Sequence, residues 1–124
     1  MDTLIEKIKN TPNNINFQEI IATINDNYHY QPTQFINGTT NNAMINLVGT
    51  NEGSCKIFAF AHLHCLSKSE TLACFGKFYR DDVLKYPQNN DHQNIRQFMV
   101  SGLDGIHFEV FPLTIKKEVQ KTTA

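Results

Sequence analysis

The sequence predicts an α+β domain that is mainly helical, with about five helices and a small antiparallel sheet. Three observations carry this prediction. Residues 57–66 form an almost continuously apolar run, which is typical of a helix buried on most of its circumference. Pairs of residues with capping-box spacing precede other stretches of helical periodicity. Residues 106–110, in contrast, alternate between apolar and polar side chains, as a half-buried strand does.

Length and composition favour one soluble domain with a single core. The chain has 124 residues, 40% of them hydrophobic, and a formal net charge of −1, so neither nucleic acid nor a membrane surface is expected as a partner. Residues 1–10 lack the apolar region of a signal peptide, and no apolar run reaches about 18 residues. Cys55, Cys65 and Cys74 are odd in number, so we expect free thiols in a reducing cytoplasm.

Two helices are predicted before residue 28. The first is expected to begin at a capping box formed by Thr3 and Glu6. The second covers about residues 17–27 and begins at a similar box formed by Asn16 and Glu19. Both boxes would satisfy backbone N–H groups that the first turn of a helix leaves without acceptors.

Residues 28–48 are predicted to be extended chain or a small hairpin. Aromatic and polar residues alternate where the segment begins, and Asn37-Gly38 is a dipeptide that favours a tight turn. We expect the small sheet to join residues 30–36 to residues 106–110.

The apolar run belongs to a central helix that follows the turn-like residues 51–54 and ends near Leu66. Ser67 and Glu70 form another capping box, so the next helix is expected to lie beside the central one. Its apolar face consists of Leu72, Phe75, Tyr79 and Val83. Gly76 interrupts this face, which means either that the helix breaks or that the backbone packs closely there, and we expect close packing against the central helix.

A last helix is predicted with Asp91 as its N-cap and Gly102 just after its C-terminus. Residues 1–114 are expected to form the domain and residues 115–124 a frayed tail. The core is expected to form around four aromatic side chains, namely Phe58, Phe60, Phe75 and Phe98.

Four blocks of this sequence are specific enough to indicate a family: residues 51–61 (NEGSCKIFAFA), 70–76 (ETLACFG), 79–80 (YR) and 91–96 (DHQNIR) with the following Phe98-Met99. They closely resemble the HopJ type III effector family, and the resemblance covers nearly the whole chain. It implies a small bacterial protein and no particular reaction. We therefore expect a non-enzymatic domain that binds a protein or a small ligand in the cytoplasm, or a host protein if it is exported by type III secretion.

The alternative is a cysteine-dependent hydrolase or transferase that uses Cys55. A cysteine in the first turn of a helix lies at the positive end of the helix dipole, which favours the thiolate, and Gly-Ser-Cys at a helix start is similar to the nucleophile of papain-like enzymes. Its histidine partner would be His92 or His107, and His107 on a strand suits that class better. Lys56 replaces the aromatic residue of that signature, however, so a structural Cys55 is the competing interpretation.

A polar wall for an anion or a peptide carboxylate is a second candidate site, in which His92 would take part. The residues predicted to bind the ligand are Glu52, Arg80, Asn94 and Arg96. Salt bridges from either arginine to Glu52, Asp81 or Asp82 are the competing interpretation.

No cofactor and no metal site are predicted. On a helix His62 and Cys65 share one face, but His64 points away from it. The chain also has no Cys-x-x-Cys or His-x-x-x-His pair, which are the spacings typical of structural zinc sites.

Overall fold

The computed structural model describes residues 1–116 and confirms the α+β class, with helices as the larger part. The helices are α1 (Asp2–Asn10), α2 (Phe17–Asn27), α3 (Glu52–Leu63), α4 (Lys68–Ala73) and α5 (Gln93–Ser101). The strands are β1 (Tyr28–Tyr30), β2 (Phe35–Asn37), β3 (Met44–Asn46), β4 (Ile106–Phe108) and β5 (Leu113–Ile115). Shorter turns cover Pro12–Asn14 and Leu103–Gly105 as 3₁₀ helix and Phe78–Val83 as π-helix.

The strands form two antiparallel sheets, one of order β3-β2-β4 and the other of β1 with β5. Ile36 lies opposite His107, so the predicted pairing of this part of the chain with residues 106–110 is confirmed. Tyr30, however, lies opposite Leu113 in the second sheet. Pro32 separates the two strands because proline cannot donate a ladder hydrogen bond.

The last strand also bears on the predicted tail. Ile115 belongs to β5, where it lies opposite Tyr28, and the backbone N–H of Lys116 donates to Asn27 O at 2.9 Å. Residues 115 and 116, the first two of the predicted tail, are therefore joined to the domain by strand pairing and by this hydrogen bond. Residues 117–124 of the predicted tail lie outside the described part of the chain.

Helix α3 crosses the centre of the core, as its apolar sequence predicts. Its residues 57–61 are all fully buried. Phe58 stacks on Phe98 with ring centroids 4.8 Å apart and meets Phe75 edge-on at 5.6 Å. Phe60 is also buried, so the predicted aromatic core is confirmed. At 12 residues α3 is far too short to cross a bilayer, and no helix within residues 1–116 is long and apolar enough to do so.

Local capping signals place two helix starts correctly. Asn16 with Glu19 and Ser67 with Glu70 both form reciprocal capping boxes. The box predicted at Thr3 is wrong, because α1 already begins at Asp2 and no side chain caps it. Thr3 therefore lies inside the first turn as the second helical residue and not at the N-cap position.

Gly76 breaks the helix that was predicted to continue through it. Helix α4 ends at Ala73, and Gly76 has a φ of +58°, a left-handed conformation that favours glycine. A Cβ atom at Gly76 would lie 2.8 Å from Phe17 N and 3.3 Å from Ile15 O. The predicted close packing therefore exists, but against the start of α2 and not against the central helix.

Candidate ligand-binding cleft

Helices α3 and α5 begin in the same unusual way. Asn51 precedes α3 with a φ of 51° and His92 precedes α5 with a φ of 50°, and neither side chain caps its helix. The first N–H groups of a helix have no acceptor inside it and carry partial positive charge. The prediction that Asp91 caps α5 is wrong, because the Asp91 carboxylate binds the Arg96 guanidinium at 2.6 Å instead.

Both helix starts line one cleft of about 550 Å³. That volume falls within the usual range of small-molecule sites, roughly 300–1,000 Å³. Its polar side consists of Asn51, Gly53 and Ser54 at the start of α3 and His92, Gln93 and Asn94 at the start of α5. Its apolar side consists mainly of Phe17, Phe75 and Phe78. Two positive helix ends at one cleft favour a ligand group that carries negative charge or accepts hydrogen bonds.

Four asparagine side chains hold this polar side together. Asn94 is 6% exposed and exchanges two hydrogen bonds with Asn46, at 2.9 and 3.2 Å. Asn51 donates to Asn46 Oδ1 at 2.8 Å, and Asn37 donates to Asn94 Oδ1 at 3.0 Å. The network joins β2 and β3 to the starts of α3 and α5. Of these four, sequence reasoning identified only Asn94 as a site residue.

His92 lies at the rim of the cleft with its ring against Phe78, at 5.1 Å between centroids. Its Nε2 atom is 2.9 Å from Asp82 Oδ2. Ligand atoms of Asp82, Asp91 and His92 all lie within 4.8 Å of one another, so this trio could hold a metal ion. The Arg96 guanidinium beside Asp91 opposes a cation there by placing a positive charge next to the carboxylate.

Cys55 is 1% exposed and is not among the residues that line the cleft, whereas its neighbour Ser54 is. Burial raises the pKa of the Cys55 thiol to about 11; the negative charge of Glu52 adds to this, and a hydrogen bond with Tyr30 and the charge of Lys56 oppose it. At neutral pH the thiol therefore keeps its proton. This is the reverse of what an activated nucleophile needs.

The two histidines considered as partners of Cys55 have other surroundings. His92 binds Asp82, and His107 is an exposed residue of β4 opposite Ile36. Within residues 1–116, Cys55 forms no hydrogen bond with either histidine. This arrangement differs from the hydrogen-bonded cysteine and histidine that such enzymes use.

The charged residues predicted for the polar wall do not meet in the cleft. Arg96 donates from Nε to Asp91 O at 2.6 Å and from Nη2 to the Asp91 carboxylate, so it fastens the loop before α5. Arg80 donates from Nη1 to Ile15 O at 2.9 Å and lines a different groove. Glu52 lies at the start of α3 beside Tyr30, whose pKa is raised first by burial and further by Cys55 and Glu52. Of the predicted set, only His92 and Asn94 line the cleft.

Known proteins match this chain in sequence and in fold over nearly its whole length. A family model described as HopJ type III effector protein matches residues 1–113. A crystal structure described as that of the unknown function protein VPA0580 has a TM-score of 0.87 and 50% sequence identity, and the match covers 94% of this chain and 93% of that one. No curated protein matches the chain. These likenesses support the fold and name neither a ligand nor a reaction.

Proposed function

This chain belongs to the HopJ type III effector family, and from that premise we propose that it is a non-enzymatic binding domain for a small carboxylate with an aromatic body. The observation that carries the proposal is the convergence of two uncapped helix starts on one cleft of about 550 Å³. One fold can host many activities, so the argument rests on the cleft itself.

The polar side of the cleft favours a single negative charge. The starts of α3 and α5 both line it, and the backbone N–H groups of a helix start bind carboxylates and phosphates well. Among the lining residues, His92 is the one that can carry a positive charge, and no lysine or arginine of residues 1–116 lines the cleft. A doubly charged phosphate would lack a full countercharge, so a carboxylate is the better match.

The apolar side favours a planar body. Phe17 and Phe78 meet edge-on with centroids 5.0 Å apart, and Phe75 contributes a third ring to the same wall. Aromatic rings prefer edge-to-face and offset contacts with one another, which a ligand ring could extend. A carboxylate joined to one aromatic ring would therefore engage both sides of the cleft.

Phenylacetate and its neutral analogue phenylacetamide are suitable probes. We would titrate each into isotope-labelled protein and follow the backbone amides by NMR. The expected result is that phenylacetate shifts the amides of Gly53, Ser54 and Gln93 and binds about tenfold more tightly than phenylacetamide, since helix starts favour the charged head by about 1 kcal/mol or more. Equal binding of the two probes, or shifts outside the cleft, would contradict the proposal.

Gly53→Ala separates binding from folding. A Cβ atom at Gly53 would lie 2.9 Å from Phe17 Cζ, so the Phe17 ring must move and the cleft wall must change. Because alanine favours a helix over glycine by about 1 kcal/mol, the variant should fold normally. We expect weaker phenylacetate binding without a lower melting temperature, and unchanged affinity would count against the cleft.

We propose that the protein is cytoplasmic in the cell that makes it. We also propose that it can be exported into a host cell by type III secretion, the route that the family description supports. A fusion of the chain to a calmodulin-dependent adenylate cyclase would test export. Cyclic AMP should rise in host cells only when the bacterium has a functional secretion apparatus. If cyclic AMP does not rise in the host cells, the protein is not exported and acts in the cell that makes it.

A further inference from the structure

A second groove, of about 400 Å³, shares the rings of Phe17 and Phe78 with the cleft. One wall consists of residues 14–18, at the start of α2, and the other consists of Lys77, Phe78 and Arg80. We call it the basic groove. The family description and the cleft assign no role to it.

The two walls of the basic groove are held in fixed positions. Gly76 allows the second wall to approach so closely that a Cβ atom there would lie 2.8 Å from Phe17 N. Arg80 Nη1 donates to Ile15 O at 2.9 Å, which ties the walls together a second time. A preformed groove spares a ligand the entropic cost of ordering it.

Two positive charges line the groove, and the described part of the chain gives neither a partner carboxylate. Neither Lys77 nor Arg80 forms an ion pair with any of residues 1–116. The acidic side chains nearest in sequence to the residues that line the groove already have other partners. Glu19 pairs with Lys7 at 2.9 Å, Asp81 with Lys85 at 3.3 Å and Asp82 with His92 at 2.9 Å.

The groove also has an apolar floor. Phe78 is 38% exposed, and Phe17 is half-buried beside it. A single exposed phenylalanine has no special meaning, but here the ring lines a concave surface together with Lys77 and Arg80. Exposed Asn14 and Gln18 add side-chain amides at the edge, which can bond to a peptide backbone.

We propose that the basic groove docks an acidic peptide segment of a partner protein. A phenylalanine or leucine of that segment packs against Phe17 and Phe78, and a neighbouring aspartate or glutamate meets Lys77 and Arg80. Arg80 donates to Ile15 O through Nη1, so its Nε and Nη2 atoms can bind the carboxylate. Charge complementarity selects this occupant, because residues 1–116 contribute two cations and no anion to the lining of the groove.

The test begins with a phage library of random twelve-residue peptides selected on the folded protein. Peptides that bind should combine acidic residues with a phenylalanine or leucine. The strongest one is then synthesised, together with versions in which the acidic residues become amides or the apolar residue becomes alanine. Each change should weaken binding about tenfold, which corresponds to about 1.4 kcal/mol. Selected peptides without acidic residues, or peptides that tolerate both changes, would overturn the proposal.

Lys77→Glu is the matching change in the protein. Lys77 is exposed, so the variant should fold, and we expect at least a tenfold loss of affinity for the synthetic peptide, which is about 1.4 kcal/mol. Lys116→Glu makes the same charge change at an exposed lysine outside the groove and should leave affinity unchanged. Equal losses in the two variants would indicate a general charge effect and overturn the proposal. A wild-type dimer that Lys77→Glu dissociates would also overturn it, since the occupant would be a second copy.

Discussion

Asn46 and Asn94 exchange two hydrogen bonds in a buried position: Asn94 Nδ2 donates to Asn46 Oδ1 at 2.9 Å, and Asn46 Nδ2 donates to Asn94 Oδ1 at 3.2 Å. This pair joins strand β3 to the first turn of α5. Since Asn51 also donates to Asn46, the same amide positions the start of α3. The geometry of the cleft therefore depends on polar groups that water cannot replace without opening the core.

Replacing Asn94 by alanine should lower the free energy of unfolding by about 2–4 kcal/mol, because it removes three side-chain hydrogen bonds from a buried site, two with Asn46 and one from Asn37. Urea unfolding followed by circular dichroism would measure the loss. Gln97→Ala is the control on the same helix, since Gln97 is half-buried and bonds to Ser101. It should cost less than about 1 kcal/mol. Equal losses would contradict the role given to the network.

Iodoacetamide should modify the three cysteines in a fixed order. Cys65 is exposed and should react first, whereas Cys55 and Cys74 are buried and have thiol pKa values of about 11 and about 12, raised by burial. Peptide mass spectrometry near pH 8 would measure the order, since the thiolate is the reacting form. A Cys65→Ser variant should take up almost no label until urea unfolds it. Rapid labelling of Cys55 in that variant would revive the enzyme interpretation.

The Cys55 thiol should make stability fall at alkaline pH. Its pKa is raised from 9.0 to about 11, so below pH 9 both folded and unfolded chains keep the proton. Between these values the unfolded chain loses the proton first, and the free energy of unfolding falls as pH rises. The contribution of this group is at most about 3 kcal/mol.

Urea unfolding at several pH values would measure that fall in the wild type and in Cys55→Ala. The variant should start less stable and should lose less stability than the wild type between about pH 9 and pH 11, because it lacks the Cys55 thiol. Some loss should remain, because the other buried thiol, Cys74, is present in both proteins. Cys65→Ala is the matched control at an exposed cysteine and should follow the wild-type curve. Parallel curves for all three proteins would show that Cys55 does not titrate as described.

Gly76→Ala should destabilise the protein more than Gly49→Ala does. Both glycines have a positive φ, +58° and +83°, so both substitutions add backbone strain of about 1 kcal/mol or more. Of the two, the new Cβ at Gly76 also collides with backbone, at 2.8 Å from Phe17 N, whereas no atom of the described residues lies within 4 Å of one at Gly49. The difference between the melting temperatures of the two variants measures the effect of the collision, because both variants carry the backbone strain. Similar melting temperatures would mean that the walls of the basic groove can separate easily.

The sequence predicted those parts of the fold that depend on local signals. Asn16 and Ser67 were placed correctly as caps because a capping box involves only four consecutive residues. The apolar run predicted α3 correctly, because a helix that is buried on all sides has apolar residues at nearly every position. The pairing of Tyr30 with Leu113 could not be found in this way, since the two residues are far apart in the chain and three-residue strands carry little pattern.

The cleft was only partly predictable. His92 and Asn94 were chosen for their polar chemistry, and both line it. The αL conformation of Asn51 was missed, although asparagine and histidine tolerate positive φ better than most residues and could have marked both helix starts. Arg96 does not line the cleft and pairs with Asp91, an ion pair that the preference of aspartate for helix caps conceals in the sequence.

Phe17 and Phe78 are walls of both the cleft and the basic groove. If a carboxylate in the cleft shifts these rings, it must change the affinity of the groove for a peptide, and the peptide must change the affinity of the cleft by the same factor. The two rings would then be the physical basis of communication between a metabolite and a protein partner. A domain without any chemical reaction could in this way report the concentration of one molecule by holding or releasing another.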